Sequence, residues 1–417
     1  MKPTPFAPVL ALLLAAPILT LPALAKSPLP PSPAALREGD RVVWLGDAWV
    51  EREARYGYVE AALVAGHPEL NLVFRNLGWS ADTPWGHSQS YFGPPAEGFT
   101  RREAFIKANR PTVAWLSFGG AAAFDGAAGL SDFTRGMTHL TDSLKPLGLR
   151  AVVVTSPMPH ERVSDRLPDP EPQNQRIALY RDELKRFALE RSLVFSDWHE
   201  ALNFQADPRH AGLRHTDNGM HLDAFGYWCA GPRVAHAVGA IPDDWAVTLP
   251  LRDPDGLRGT TLSELTREAD RVAFTLLDRR LPQPPMPSPR PDGAERLLPT
   301  RKLIVGGLAA GNWALTVDGK ALTSATAEQW AAGVGLPAGP EAEQAEALRR
   351  TIVKKNQLYF HRWRPANETY LHGFRKHEQG RNAAEMPQFE PLVAEQEGLI
   401  AGLRRPQPRR YVLTRTP

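Results

Sequence analysis

The sequence predicts an α/β protein, with a five-stranded parallel sheet covered by helices on both faces, a small β unit and a helical C-terminal extension. Three observations predict it. Short β-branched runs alternate with helical patterns from about residue 40 to 240. Near residue 245 the pattern changes to strands and turns. Helical periodicity returns from about residue 324. A chain of 417 residues has room for such a domain and a second unit.

The chain opens on a targeting pattern. Lys2 precedes the apolar run "FAPVLALLLAAPILTLPALA", which ends in the small-x-small site Ala23-Leu24-Ala25. This predicts a secretory signal over residues 1–25, and hence a secreted or periplasmic protein. Pro8, Pro17 and Pro22 interrupt the run and no second one follows, so no stable membrane anchor is expected after cleavage. Residues 26–36, "KSPLPPSPAAL", read as a proline-rich leader.

The lone cysteine, Cys229, cannot form an intrachain disulfide; within "FGYWCAGPRVAHAVGA" it reads as a small buried apolar residue. The net charge of +3 comes from interspersed residues of both signs. Only "RRPQPRR" near the end is locally basic. It lacks interleaved aromatics and reads as a solvated tail, so no nucleic-acid partner is expected.

The sheet domain is expected over residues 37–245. Its strands are "RVVWLG", "NLVFRNLG", "PTVAWLSFG", "LRAVVVTSP" and "LVFSDW". Helical patterns separate them, the last placing Ile177, Tyr180, Leu184 and Phe187 on one face. In a parallel sheet wound this way, ligands gather where strands end and helices begin. There fall "GDAW", "NLGWSADT", "SFGGAAAFDG" and "TSPMPHE". A small antiparallel β unit is expected over residues 246–323, with a hairpin turn at Asp318-Gly319 and the proline-rich linker "LPQPPMPSPRPDG" inside it. A helical extension is expected over residues 324–417.

Four blocks in order, "WLGDAWVE", "RNLGWSAD", "SFGGAAAFDG" and "DNGMHLDAFGY", resemble those of the SGNH or GDSL-like hydrolase superfamily. They span about half of the chain, and the pattern is similar to a divergent secreted branch with a long C-terminal extension. The resemblance implies a flavodoxin-like sheet and serine-based acyl transfer. There a serine attacks the ester, a histidine takes its proton, an aspartate orients the ring, and N–H groups with an asparagine amide hold the oxyanion. By position, Gly78 would offer an oxyanion N–H, His221 would be the histidine, and Asp47 precedes the nucleophile position.

Three positions depart from that pattern. Ala48 stands where the serine belongs, Ala121 after Gly119-Gly120 where the asparagine belongs, and Asn218 where the aspartate belongs, with Asp217 adjacent. Losing one oxyanion donor costs about 10²–10³ in rate, and an amide in place of the orienting carboxylate about 10⁴. Alanine at position 48 excludes the serine route outright.

Other residues offer alternatives. Ser80 is either a substitute nucleophile or a helix or turn cap. Asp47 either orients a water for His221 or accepts loop N–H groups, and His221 is either a base or a hydrogen-bonded structural histidine. Trp49, Trp79 and Trp85 either stack on sugar rings at the mouth or pack the core. In the extension, "FHRWRPANETYLHGFRKHEQG" either covers the pocket or docks the tail. His199, His210, His215 and His221 form no zinc motif, and no metal or cofactor is expected.

Two readings remain open. One is a secreted ester hydrolase acting on acylated carbohydrate through a rearranged site. The other is a non-catalytic protein that binds glycan or another partner in the retained pocket.

Overall fold

In β1 (Arg41–Gly46), Val42 and Trp44 face one apolar cluster while Val43 and Leu45 face another. A strand turns successive side chains to opposite faces, so an unbroken apolar run means a sheet buried on both. The computed structural model, which describes residues 35–91, 93–250, 256–378 and 382–416, follows that pattern through the sheet. The expected signal and nearly all of the leader lie outside the described residues. Among those described, no helix is long and apolar enough to cross a membrane.

The chain runs β1, α1 (Ala48–Tyr56), α2 (Tyr58–Ala65), β2 (Val73–Gly78), α3 (Pro95–Ala108), β3 (Val113–Ser117), α4 (Gly126–Leu144), β4 (Ala151–Thr155), α5 (Glu171–Glu190), β5 (Val194–Ser196), α6 (Trp198–Ala201) and α7 (Ala224–Ala237). The strands lie in the order β2-β1-β3-β4-β5, all parallel. Each falls within a run read as a strand from sequence. The helical stretch after β1 forms two helices, because Gly57 turns left-handed (φ 66°) and ends α1.

The second region holds β6 (Ala246–Leu249), β7 (Leu257–Arg258), β8 (Thr260–Arg267), β9 (Arg271–Asp278), β10 (Arg301–Val305), β11 (Asn312–Val317), β12 (Lys320–Thr326), α8 (Ala327–Ala332) and β13 (Val334–Leu336). Then come α9 (Pro340–Trp363), α10 (Glu368–Leu371), α11 (Phe389–Leu403) and β14 (Arg409–Arg415). The strands form two sheets, β13-β10-β6-β7 and β12-β11-β14-β9-β8, which share one apolar cluster.

Four expectations need correction here. The β unit is not purely antiparallel, since β6 and β10 pair in parallel. The basic end is not a solvated tail: β14 lies between β11 and β9, burying Tyr411 and Leu413. Arg409 meets Asp318 at the Asp318-Gly319 hairpin, 2.9 Å away, so its charge is paired in the fold. The β unit therefore does not close at residue 323. Finally, the proline-rich stretch is not a free linker. Trp228 Nε1 donates to Pro284 O (2.8 Å), Gln283 Nε2 donates to Trp228 O (2.7 Å), and Leu281 is buried.

The extension covers the open edge of the parallel sheet. On α9, Leu348, Ile352, Lys355, Tyr359 and Trp363 recur at helical spacing and are all buried. Lys355 pairs with buried Glu60 on α2 and donates to Phe74 O of β2 at 3.0 Å, satisfying a carbonyl that an edge strand leaves open. Arg75 of β2 pairs with Glu397 of α11. Of the polar residues singled out in the extension, Arg364 meets Glu51 (3.1 Å) and Glu368 pairs with Arg101. They dock the tail.

Candidate functional site

β1 ends against β3 so closely that a Cβ on Gly46 would lie 2.6 Å from Ser117 O, so the chain turns there on glycine. Asp47 then caps α1, its Oδ1 accepting from Trp49 N at 3.3 Å. This places Asp47, Ala48 and Trp49 at the C-terminal ends of the strands. They open onto a cavity of about 310 Å³, also lined by Gly120, Ala121 and His221. His221 and Ala48 thus share one cavity, as the block order implies.

Asn218 fixes the proton on His221. Its Oδ1 accepts from the backbone N–H groups of Met220 (3.1 Å) and His221 (2.9 Å), which leaves its Nδ2 facing His221 Nδ1 at 3.1 Å. An amide NH₂ only donates, so Nδ1 accepts and the neutral ring carries its proton on Nε2. Burial, then the nearby Arg52 charge, lowers the ring's pKa and keeps it neutral. A ring in this tautomer offers an N–H where a general base needs a lone pair. Asp217 does not repair this, because it pairs with Arg52.

The N–H groups at the positions that the resemblance assigns to an oxyanion are already engaged. Gly78 N–H donates to Asn76 Oδ1 at 2.9 Å, so it is not free to face an oxyanion. Glycine is still required there, because a Cβ would lie 2.3 Å from Glu51 N as α1 crosses β2. Ala121 N–H donates to Asp47 Oδ2 at 3.4 Å, and Gly120 N–H points to the same carboxylate. The backbone donors beside Gly120 therefore already serve an anion of the chain itself.

Asp47 is the cavity's acid. Burial raises its pKa to about 6, against the backbone N–H bonds that lower it. Folded Asp47 therefore binds its proton more tightly than the unfolded residue does. The resulting stability is complete below about pH 3.8 and is lost as pH rises through about 6. Asp47→Asn keeps the capping oxygen and removes that loss. Its unfolding midpoint should exceed the wild type's at pH 7 and converge with it near pH 4. Thermal melts across that range check this; a constant gap would contradict it.

Other proposed site residues lie elsewhere. Ser80 is exposed and outside the cavity lining, and its N–H donates to Glu51. Trp79 is buried under the extension, with the Arg364 guanidinium 3.6 Å from its ring centre. Trp85 stacks on His139 and donates to Asp132 Oδ2 at 3.1 Å. Only Trp49 of the three tryptophans reaches the cavity, because α1 carries it there while later segments cover the others.

Sequence reasoning did not single out Ser117, Ser156, His160 or Trp198, which also line the cavity. Their segments were legible as strand ends, although no motif marked the residues. Ser117 Oγ accepts from Trp44 Nε1 (3.0 Å) and Thr155 Oγ1 (2.9 Å). Ser156 donates to Asp197 Oδ1 at 3.0 Å. Neither hydroxyl is hydrogen-bonded to a cavity histidine. His160 has its pKa lowered to about 4 by burial and by His221.

Among the described residues, His210, His215 and Cys229 bring three possible metal ligands within 4.8 Å. The two rings are already hydrogen-bonded to each other at 2.8 Å, and His215 Nδ1 meets Glu161 Oε1 at 2.9 Å. Cys229 is buried and its thiol is pushed up by burial, so a thiolate ligand is disfavoured.

No protein-family model matches the chain, and no curated protein matches it. Among solved structures, BT4096, described as a gut microbial diltiazem-metabolizing enzyme, aligns with a TM-score of 0.71 at 17% identity. That alignment covers 92% of this chain and 100% of BT4096. The chain therefore shares the fold of BT4096 over that protein's full length. The acetyl-xylooligosaccharide esterase Axe2 of Geobacillus stearothermophilus aligns at 17% identity and a TM-score of 0.39, over 49% of this chain and 96% of that one. A protein of Parabacteroides merdae described as a GDSL-like lipase aligns at 16% identity and a TM-score of 0.40, over 50% and 99%.

Proposed function

We propose that this is an exported SGNH-fold protein that binds a small organic ligand, of the acylated-carbohydrate class, without serine-based acyl transfer. One observation carries the reading. Across a single cavity, a methyl group at Ala48 meets a histidine whose Nδ1 is held by an amide. Nucleophile and base are both missing. The cavity itself remains open, with Trp49 and Trp198 in its wall, and indole faces suit sugar rings. BT4096, which matches over its full length, is described as acting on diltiazem, and this supports an organic small-molecule ligand.

A second reading rests on Asp47. A carboxyl with its pKa raised to about 6 suits a general base for water, and His221 Nε2–H suits the oxyanion, giving single-displacement hydrolysis. Assays on acetylated xylose with the wild type, Asp47→Asn and His221→Ala separate the two. The binding reading expects buffer rates for all three, with acetylated xylose bound in ligand-observed NMR and released by Trp49→Ala. Turnover that disappears in Asp47→Asn would establish hydrolysis instead. Neither turnover nor binding would overturn both.

A further inference from the structure

The cavity holds a carboxylate with no cation beside it. Asp47 accepts only backbone N–H groups, those of Trp49 at 3.3 Å and Ala121 at 3.4 Å among them, which soften its charge without cancelling it. No lysine or arginine lines the cavity among the described residues. Arg52, whose charge acts on His221, is already paired with Asp217. Both cavity histidines are held neutral, so the charge that Asp47 feels is that of another acid, Asp82.

Aromatic rings line the same cavity as this carboxylate. Trp49 and Trp198 meet at 4.6 Å between centroids and 45° between planes, forming a corner in the wall. Phe118 and Phe124 line the same space. A neutral ligand, acetylated xylose included, gains nothing from the carboxylate's charge and is expected to bind more weakly than a cationic one. A cation meets both the carboxylate and the negative ring faces.

We propose that the ligand of this cavity carries a protonated or quaternary amine, held by Asp47 and the Trp49–Trp198 corner. This rests on the part of the reading above that the cavity binds a small organic ligand, and replaces its acylated-carbohydrate class by a cationic one. The shared chemistry has two sources, an alkylammonium compound or an amino sugar, and paired probes distinguish them.

Ligand-observed NMR on the full protein compares choline with its neutral isostere 3,3-dimethylbutan-1-ol, and glucosamine with glucose. In at least one pair the amine should bind about tenfold tighter or better. Asp47→Asn, checked for its fold by circular dichroism, should bring the two members of that pair within about threefold of each other. The pair that discriminates names the source. Equal binding in both pairs, or a preference that survives Asp47→Asn, would overturn the proposal. So would four silent probes. If acetylated xylose still binds in that case, only the amine fails; if it too is silent, the binding reading fails with it.

Discussion

Ala48→Ser alone should leave the protein near background on acetylated xylose, whereas Ala48→Ser with Asn218→Asp should exceed it by roughly 10³–10⁴ in kcat/KM. The first variant restores a hydroxyl, but the imidazole in the same cavity carries its proton on Nε2 and cannot take another there. Aspartate at position 218 keeps one oxygen on the N–H groups of Met220 and His221 and turns the other toward His221 Nδ1. The ring proton then moves to Nδ1, and Nε2 becomes a base. Because Gly78 N–H is spent on Asn76 and Ala121 carries no amide, the double variant should stay about 10²–10³ below a complete site for each missing donor. Steady-state rates for the single and double variants check this. An Ala48→Ser single variant as active as the double would show that Asn218 does not set the tautomer.

Removal of residues 406–417 should unfold the β unit. β14 pairs with β11 on one side and β9 on the other, and its loss leaves two open strand edges facing each other. Tyr411 and Leu413 are 1% and 0% exposed, and Tyr411 stacks on Phe274 at 5.4 Å. Burial of these two side chains alone contributes roughly 3–6 kcal/mol. The truncated chain should lose roughly 10 °C or more of melting temperature, or fail to accumulate in soluble form. Leu413→Asp should act in the same direction. An unchanged melt in both variants would mean that the end is a solvated tail after all.

What was legible in the sequence is what leaves a local period. The runs around Val42–Leu45 and Val113–Leu116 are buried on both faces, so each strand declares itself within a few residues. The strand ends follow, and with them the cavity. What stayed hidden depends on distant partners. Trp79 looks the same in sequence as Trp49 until Arg364 covers it. Tyr411 and Leu413 alternate as a strand should, but "RRPQPRR" just before them reads as a tail because nothing nearby shows Asp318 waiting for Arg409.

Gly78 is the instructive case at the site. Its block position matched the family, yet an asparagine two residues earlier in the same strand takes its N–H. Lys355 is another: a lysine within an apolar helical stripe signals a buried partner, and Glu60 supplies it from almost 300 residues away.

The protonation of His221 tests the account most directly. ¹⁵N-resolved imidazole NMR reports which ring nitrogen holds the proton. At neutral pH it should be Nε2, with Nδ1 bare and accepting from Asn218; a proton on Nδ1 would free the Nε2 lone pair and contradict the reading that His221 cannot act as a base.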